Sequence, residues 1–209
     1  MFRIFSHGEI LTVSGVHRSM LADRGRQFVS RHKWPLDLIE AKYEMDEFDD
    51  ERITYCVIEE EGEHLASLRL RSAETGSMAE KYFPSLWGDL GPRLRAQVEV
   101  TRFCAKPALS SERRLAAVSD LLLGLCRHCQ QSEIPSFFGV VFPAAARVLN
   151  QAGWTAHILK QTYDARGSLL LAEWKVSEFV AWRIQEKREI REERLRRHDA
   201  LKPALQLVA

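Results

Sequence analysis

The sequence predicts an α/β fold, a mixed twisted sheet with helices on both faces in the manner of an α/β/α sandwich. Three observations carry that expectation. Helix-period and strand-period segments alternate along the 209 residues. The run Phe137-Phe138-Gly139-Val140-Val141-Phe142 is apolar on both faces, as a central strand covered from both sides requires. The runs Ile53 to Ile58 and Leu65 to Arg71 flank Glu59-Glu60-Glu61-Gly62-Glu63, the pattern of an antiparallel hairpin turning at glycine.

The remaining elements follow in order. From Ser14 to Lys33, Val16, Met20, Leu21, Phe28 and Val29 recur at helical spacing, and Trp34-Pro35 closes the helix because the residue before proline avoids helical dihedrals. In the hairpin, Arg69 shares a face with Leu65 and Ser67, while Ala66, Leu68 and Leu70 take the other. Residues 72–97 carry Gly76, Pro84, Gly88, Gly91 and Pro92 and read as a functional loop or short helices that expose Tyr82, Phe83 and Trp87. A strand over 98–104 leads to Pro107, and Ser110-Ser111-Glu112 caps a core helix with the stripe Leu115, Val118, Leu122, Leu125 and Cys129. Pro143 starts another helix that Gly153 ends, and strands around 156–162 and 168–175 complete the sheet. The tail from Val176 is separate in character, since beyond Trp182 its apolar positions thin to Ile184, Ile190 and Leu195. Residues 1–175 are therefore expected to form one domain, and 176–209 a charged, solvated helical extension.

Composition narrows the function. With 30 basic and 29 acidic residues the formal charge is +1, which excludes a generally basic chain held to nucleic acid by bulk electrostatics. No apolar run approaches the about 20 residues needed to span a bilayer, and Met1-Phe2-Arg3-Ile4-Phe5 is not followed by a signal-peptide core. The expectation is a soluble cytoplasmic protein with neither nucleic-acid nor membrane partners. Cys56, Cys104, Cys126 and Cys129 form no disulfide framework. Cys126 and Cys129 have C-x-x-C spacing in the middle of a helix, where two core-side thiols are the simpler reading, so no metal site is expected.

Two arginines occupy positions that should be apolar. Arg24 lies on the stripe Met20, Leu21, Arg24, Phe28, and Arg102 ends the strand-like run that begins at Val98. A guanidinium cannot give up its proton, so an inward one must meet carboxylates or an anionic ligand. Asp46, Asp49 and Glu99 are the candidates, and charges on core faces mark a binding or catalytic cleft.

Arg24, Phe28, Trp34, the segment Asp46-Glu47-Phe48-Asp49, Arg69 in Ser67-Leu68-Arg69-Leu70, and Glu99-Val100-Thr101-Arg102-Phe103 form an ordered set. Together they resemble the signature of the LuxI-type acyl-homoserine lactone synthases, the autoinducer synthases, over about residues 1 to 175. Arg71-Ser72 stands where that pattern commonly has Leu-Pro, and the tail past residue 185 has no counterpart in it. The resemblance implies a fold related to the GNAT N-acetyltransferases. It also implies two substrates: S-adenosylmethionine, as substrate and not cofactor, and an acyl thioester on acyl carrier protein or coenzyme A. The implied products are methylthioadenosine and N-acyl-L-homoserine lactone, a quorum-sensing signal.

On that reading Glu99 accepts the proton of the substrate amine, acting with Arg102 and Arg69 as the catalytic set; its structural alternative is a partner of Arg102 or Arg69. Arg24, Phe28, Trp34, Asp46 and Asp49 bind S-adenosylmethionine, with the aspartates suited to its cationic groups, while Arg24 and Arg102 either bind its carboxylate or hold those aspartates in place. Thr101, Phe103, Phe138 and Phe142 serve the oxyanion and the acyl chain, in a pocket between the later strands and the helix at 143–152. Glu99 and Arg102 are three apart and face opposite sides of a regular strand, so a shared cleft requires a β-bulge between Val100 and Phe103. Lys106, Arg113, Arg114, Arg147 and Lys160 form the expected footprint for an acidic carrier protein. Two rivals stand beside this reading. A GNAT acyltransferase for another amine should carry an Arg/Gln-x-x-Gly-x-Gly/Ala loop, which the sequence lacks. A non-catalytic interaction protein would use the charged C-terminal helix and suffer more than a synthase from truncation near residue 180.

Overall fold

Strand-period runs become β1 (Phe2–Ser6), the short pair β2 (Leu38–Ile39) and β3 (Tyr43–Glu44), β4 (Ile53–Glu60), β5 (Glu63–Ser72), β6 (Val98–Ala105), β7 (Ser136–Val141), β8 (His157–Asp164) and β9 (Gly167–Lys175) in a computed structural model that describes residues 1–164 and 167–206. Seven of them form one sheet in the order β1-β4-β5-β6-β7-β9-β8, and β2 pairs with β3 separately. Within the large sheet β6 and β7 run parallel and the other neighbours antiparallel. The parallel pairing is brief. It joins Val98 to Phe137 and Glu99 to Phe138, and then the two strands part.

Side-chain alternation sorts the core onto two faces. Cys56, Ile58, Leu68, Leu70, Phe137 and Trp174 are buried against α6 (Ser111–Gln131), α7 (Pro143–Ala152) and the start of α8 (Glu178–Gln206). On the opposite face Tyr55 and Val57 pack on α1 (His7–Thr12) and α2 (Ser14–Arg24), while Phe138, Leu169 and Leu171 pack on α3 (Met78–Tyr82), α4 (Pro84–Trp87) and α5 (Gly91–Leu94). The mixed sheet with helices on both faces is thus the fold, as expected. Cys126 and Cys129 are buried on α6, facing the core. No described helix is long and apolar enough to cross a membrane.

Several details depart from the sequence reading. β1 and α1 were not expected, although Ser6 and Glu9 form a capping box that signals a helix start at His7. The helix expected to reach Lys33 changes at Gly25 into a π-helical turn, Gly25–Arg31. Glycine is required there, because a Cβ would lie 2.4 Å from the Lys42 carbonyl oxygen. Phe83 and Trp87 are buried by the packing of α3 to α5 on the sheet, and only Tyr82 of the three expected aromatics is exposed.

The C-terminal helix begins at Glu178, and residues 207–209 of the expected extension lie outside the described residues. Its first turns belong to the core: Ala181 and Ile184 are buried, Arg188 pairs with Asp120, and Arg191 donates to Ser119 Oγ at 2.9 Å. Truncation at residue 180 is therefore expected to destabilise even an enzyme, by about 2–4 kcal/mol from the buried Ile184 and its neighbours. Ending the chain after Glu192 should cost less than about 1 kcal/mol. Urea unfolding of the two truncations checks both figures.

Buried His64 ties α2 to β5. Its Nδ1 lies 2.9 Å from Asp23 Oδ2, its Nε2 2.9 Å from Ser67 Oγ, and its backbone N–H donates to Ser19 Oγ. The order is that of a catalytic triad, but Ser67 is 1% exposed, so the series is a structural tie. Burial holds the imidazole below its ordinary pKa although Asp23 opposes the shift. The folded state thus binds a proton at His64 less readily than the unfolded chain, whose imidazole takes one up below about pH 6.5. Stability should fall as pH drops through that value, with this group adding up to about 1.4 kcal/mol per pH unit. Denaturation curves between pH 7.5 and 5.5, roughly one unit either side of that titration, should show a smaller slope in His64→Gln.

Candidate active site

The site is built where β6 leaves regular pairing. Arg69 stands opposite Thr101 and Ser67 opposite Cys104, so Arg102 and Phe103 together face Leu68. This is the expected bulge, and it holds Arg102 at φ +53°. It turns Arg102 to the side of Glu99, and both line a cleft of about 610 Å³. Gln27, from the π-helical turn, satisfies the backbone around the bulge, donating to Phe103 O at 2.8 Å and accepting from Ala105 N at 3.2 Å.

Behind the cleft wall lies a closed ring of alternating charge. Arg24 donates through Nε to Glu44 at 2.6 Å and through both Nη atoms to Asp49 at 2.9 and 2.8 Å. Glu44 also accepts from Arg102 at 2.8 to 3.2 Å, and Arg102 Nη2 lies 2.6 Å from Asp46. Asp46 accepts from Arg69 Nη1 at 2.7 Å, and that nitrogen lies 3.0 Å from Asp49, which closes the ring. Asp49 further accepts from Tyr55 OH and Asp46 N, and Thr101 Oγ1 from Arg69 Nε. Three guanidinium groups thus balance three carboxylates in near-complete burial. Burial alone would raise the Asp49 carboxyl, yet Arg24, Arg69 and the Asp46 N–H hold it well below the usual range.

Glu99 stands outside this ring. It is 1% exposed and accepts the backbone N–H groups of Met78 and Ala79, each at 2.8 Å, at the start of α3. The structural alternative, a hydrogen-bonded arginine, is not what holds it. Burial raises its pKa above the ordinary glutamate value, although the Ala79 and Met78 N–H groups, Ser77 and Arg69 pull the other way. A carboxylate with raised proton affinity on a cleft wall has the character of a general base.

An aromatic wall completes the cleft. Phe28 and Trp34 stack at 5.2 Å between centroids, Trp34 meets Phe142 at 5.7 Å, and the Arg102 guanidinium lies 5.4 Å over the Phe28 ring. Thr101 and Phe103 also line it. A smaller apolar chamber of about 50 Å³ between the parted β6 and β7 shares Thr101, Arg102, Phe103, Val140 and Val141 with the cleft and is floored by Phe137, Trp154 and Trp174.

Some sequence-predicted residues take other positions. Phe138 does not line the cleft; it is fully buried against Trp87, because its face of β7 is covered by α4 before the strands part. Arg24, Arg69, Asp46 and Asp49 support the wall from behind rather than line it, the aspartates being engaged by arginines. Of the five expected surface cations, Lys106, Arg113 and Lys160 are paired with Glu63, Glu60 and Asp89. Arg114 and Arg147 line the cleft, joined by Arg31, and none of these three has a carboxylate partner among the described residues. Sequence reasoning missed Glu44, Tyr55, Gln27 and Met78. Arg71, the departure from the family pattern, pairs with Asp50 and holds the Thr75 and Gly76 carbonyls, fixing the turn that leads to α3.

Comparison with known proteins identifies the family and the fold. A family model described as autoinducer synthase matches residues 10–177. An acyl-homoserine-lactone synthase from Pseudomonas amygdali pv. tabaci is 30% identical over 158 residues, covering 74% of this chain and 70% of that one. The solved structure of a CoA-dependent acyl-homoserine lactone synthase, MesI, superposes with a TM-score of 0.76 at 21% identity, over 92% of this chain and 95% of that one. BjaI, another CoA-dependent acyl-homoserine lactone synthase, solved with SAM and isopentyl-CoA, gives 0.75 at 16% identity over 90% and 89% of the two chains.

Proposed function

This chain belongs to the autoinducer synthase family, and from that premise we propose that it acylates the amine of S-adenosylmethionine from an acyl thioester and then closes the product to an N-acyl-L-homoserine lactone, a quorum-sensing signal. The observation that carries the reading is the bulge at Arg102 and Phe103, which brings a buried carboxylate of raised proton affinity and a guanidinium into one cleft.

In the first step the neutral amine attacks the thioester carbonyl, a C–N bond forms, the C–S bond breaks and the carrier leaves as a thiolate. Glu99 takes the proton that the amine gives up, directly or through water. In the second step a carboxylate oxygen of the same substrate attacks the carbon attached to the sulfonium. That C–S bond breaks, and methylthioadenosine leaves as a neutral thioether. The positive sulfur supplies the electronic drive, so the protein's part is to fold the chain onto itself. The aromatic wall of Phe28, Trp34 and Phe142 suits a sulfonium and an adenine. The apolar chamber suits the acyl chain.

For the donor, Arg31, Arg114 and Arg147 favour a phosphate-bearing arm, which acyl carrier protein and coenzyme A both present. BjaI, whose structure holds SAM and isopentyl-CoA, supports the coenzyme A form for a related fold. Both substrates and the carrier belong to the bacterial cytoplasm, where we place the reaction. The test is incubation of the purified protein with S-adenosylmethionine and acyl thioesters on both carriers, followed by mass spectrometry. Lactone and methylthioadenosine in equal amounts are expected. An acyl amide of another amine would support a plain N-acyltransferase instead, and no product from a broad panel would overturn the synthase reading.

A further inference from the structure

Arg69 and Arg102 direct most of their N–H groups at Glu44, Asp46, Asp49 and Thr101, yet each also turns a donor elsewhere, and both meet the same atom. That atom is the Met78 sulfur, 3.1 Å from Arg69 Nη2 and 3.6 Å from Arg102 Nη1. A thioether is a weak acceptor, and two guanidinium groups converging on it are poorly matched. A carboxylate oxygen at the same point would make two charge-assisted hydrogen bonds. Met78 and Arg102 both line the cleft.

The position relative to Glu99 is equally telling. The Met78 backbone N–H lies 2.8 Å from Glu99 Oε2, so the span of a single residue separates that acid from the converging arginines. This is the scale on which an α-amino acid carries its amine and its carboxylate. Methionine is unbranched and has three rotatable side-chain bonds, so its tail leaves such a point at little cost.

We propose that the Met78 thioether is a placeholder in the subsite for the amino-acid carboxylate of S-adenosylmethionine. The substrate carboxylate takes the donors of Arg69 Nη2 and Arg102 Nη1, the methionine tail turns into the cleft, and the amine is left beside Glu99. Affinity for S-adenosylmethionine is then set in part by how well residue 78 competes for the two arginines. The inference rests on the synthase reading.

The test compares the wild-type protein with Met78→Leu, which fills similar space without an acceptor, and Met78→Gln, whose amide oxygen is a stronger one. Calorimetry would measure binding of S-adenosylmethionine and of its decarboxylated form, with thermal melts to verify folding. The leucine variant is expected to lower Kd for S-adenosylmethionine about three- to tenfold, and the glutamine variant to raise it by about as much. The decarboxylated form should bind all three proteins alike. Equal or reversed affinities in the variants, or parallel shifts for the decarboxylated form, would overturn this proposal alone. Failure of the wild-type protein to bind S-adenosylmethionine would overturn the synthase reading and the placeholder with it.

Discussion

Glu99→Gln is expected to lower the rate of lactone formation by about two to four orders of magnitude while leaving the protein folded. The side chain keeps its length and shape, and one oxygen still accepts from the start of α3, but the group no longer takes a proton. Losing one of the two N–H contacts should cost only about 1 kcal/mol of stability. The pH dependence separates the base from a simple helix cap. Because burial raises the Glu99 pKa, the wild-type rate should climb with pH along an acidic limb displaced above the ordinary glutamate range of about 4.3. The glutamine variant should lack that limb. Lactone production at wild-type rates by the variant would reduce Glu99 to a structural role.

Arg24→Met should produce the largest loss of stability, about 3–5 kcal/mol, because it removes one partner from a buried ion network and leaves Glu44 and Asp49 each short of one of their two arginines. Arg24 is 1% exposed and bridges Glu44 and Asp49, so no solvent can replace it. Acid should act on the same ring. The depressed pKa of Asp49 supplies stability that is complete above its unfolded value of about 3.9 and is lost as pH falls below it. Pairing Arg24→Met with Asp49→Asn should cost less than the sum of the two changes, since each removes the same interaction. Urea denaturation of the single and double variants gives the comparison. A cost below about 1 kcal/mol for Arg24→Met would mean that the ring does not hold the fold together.

How far these features are legible in the sequence depends on the kind of signal each leaves. Arg24 and Arg102 are visible because a charge interrupts an apolar stripe, and the bulge follows from the parity of a strand once Glu99 and Arg102 are required to meet. Glu44 is not visible in this way. It lies in the run Glu44, Asp46, Glu47, Asp49, Asp50, Glu51, which has no periodicity to tell an inward acid from an outward one; the Asp49 side chain is 1% exposed and that of Glu47 46%. Phe138 was misplaced because strand alternation gives faces but not the point at which β6 and β7 part, and that point decides which face opens into the cleft. The docking of Ala181 and Ile184 is not legible because the apolar positions thin beyond Trp182 and charged residues take over, although two apolar residues three apart suffice to seat one turn of helix.

The ring of alternating charge also bears on how such a sequence can diverge. Each guanidinium in it serves two carboxylates and each carboxylate two guanidiniums, so any single codon change breaks two links at once. Descendants are expected to inherit the ring whole. If the chamber takes the acyl chain as proposed, new acyl preferences would arise along its apolar walls, where Val140, Leu149 or Trp154 can change singly. On the proposed reading, heredity would be divided within one cleft, with the charged side held constant and the apolar side free to drift.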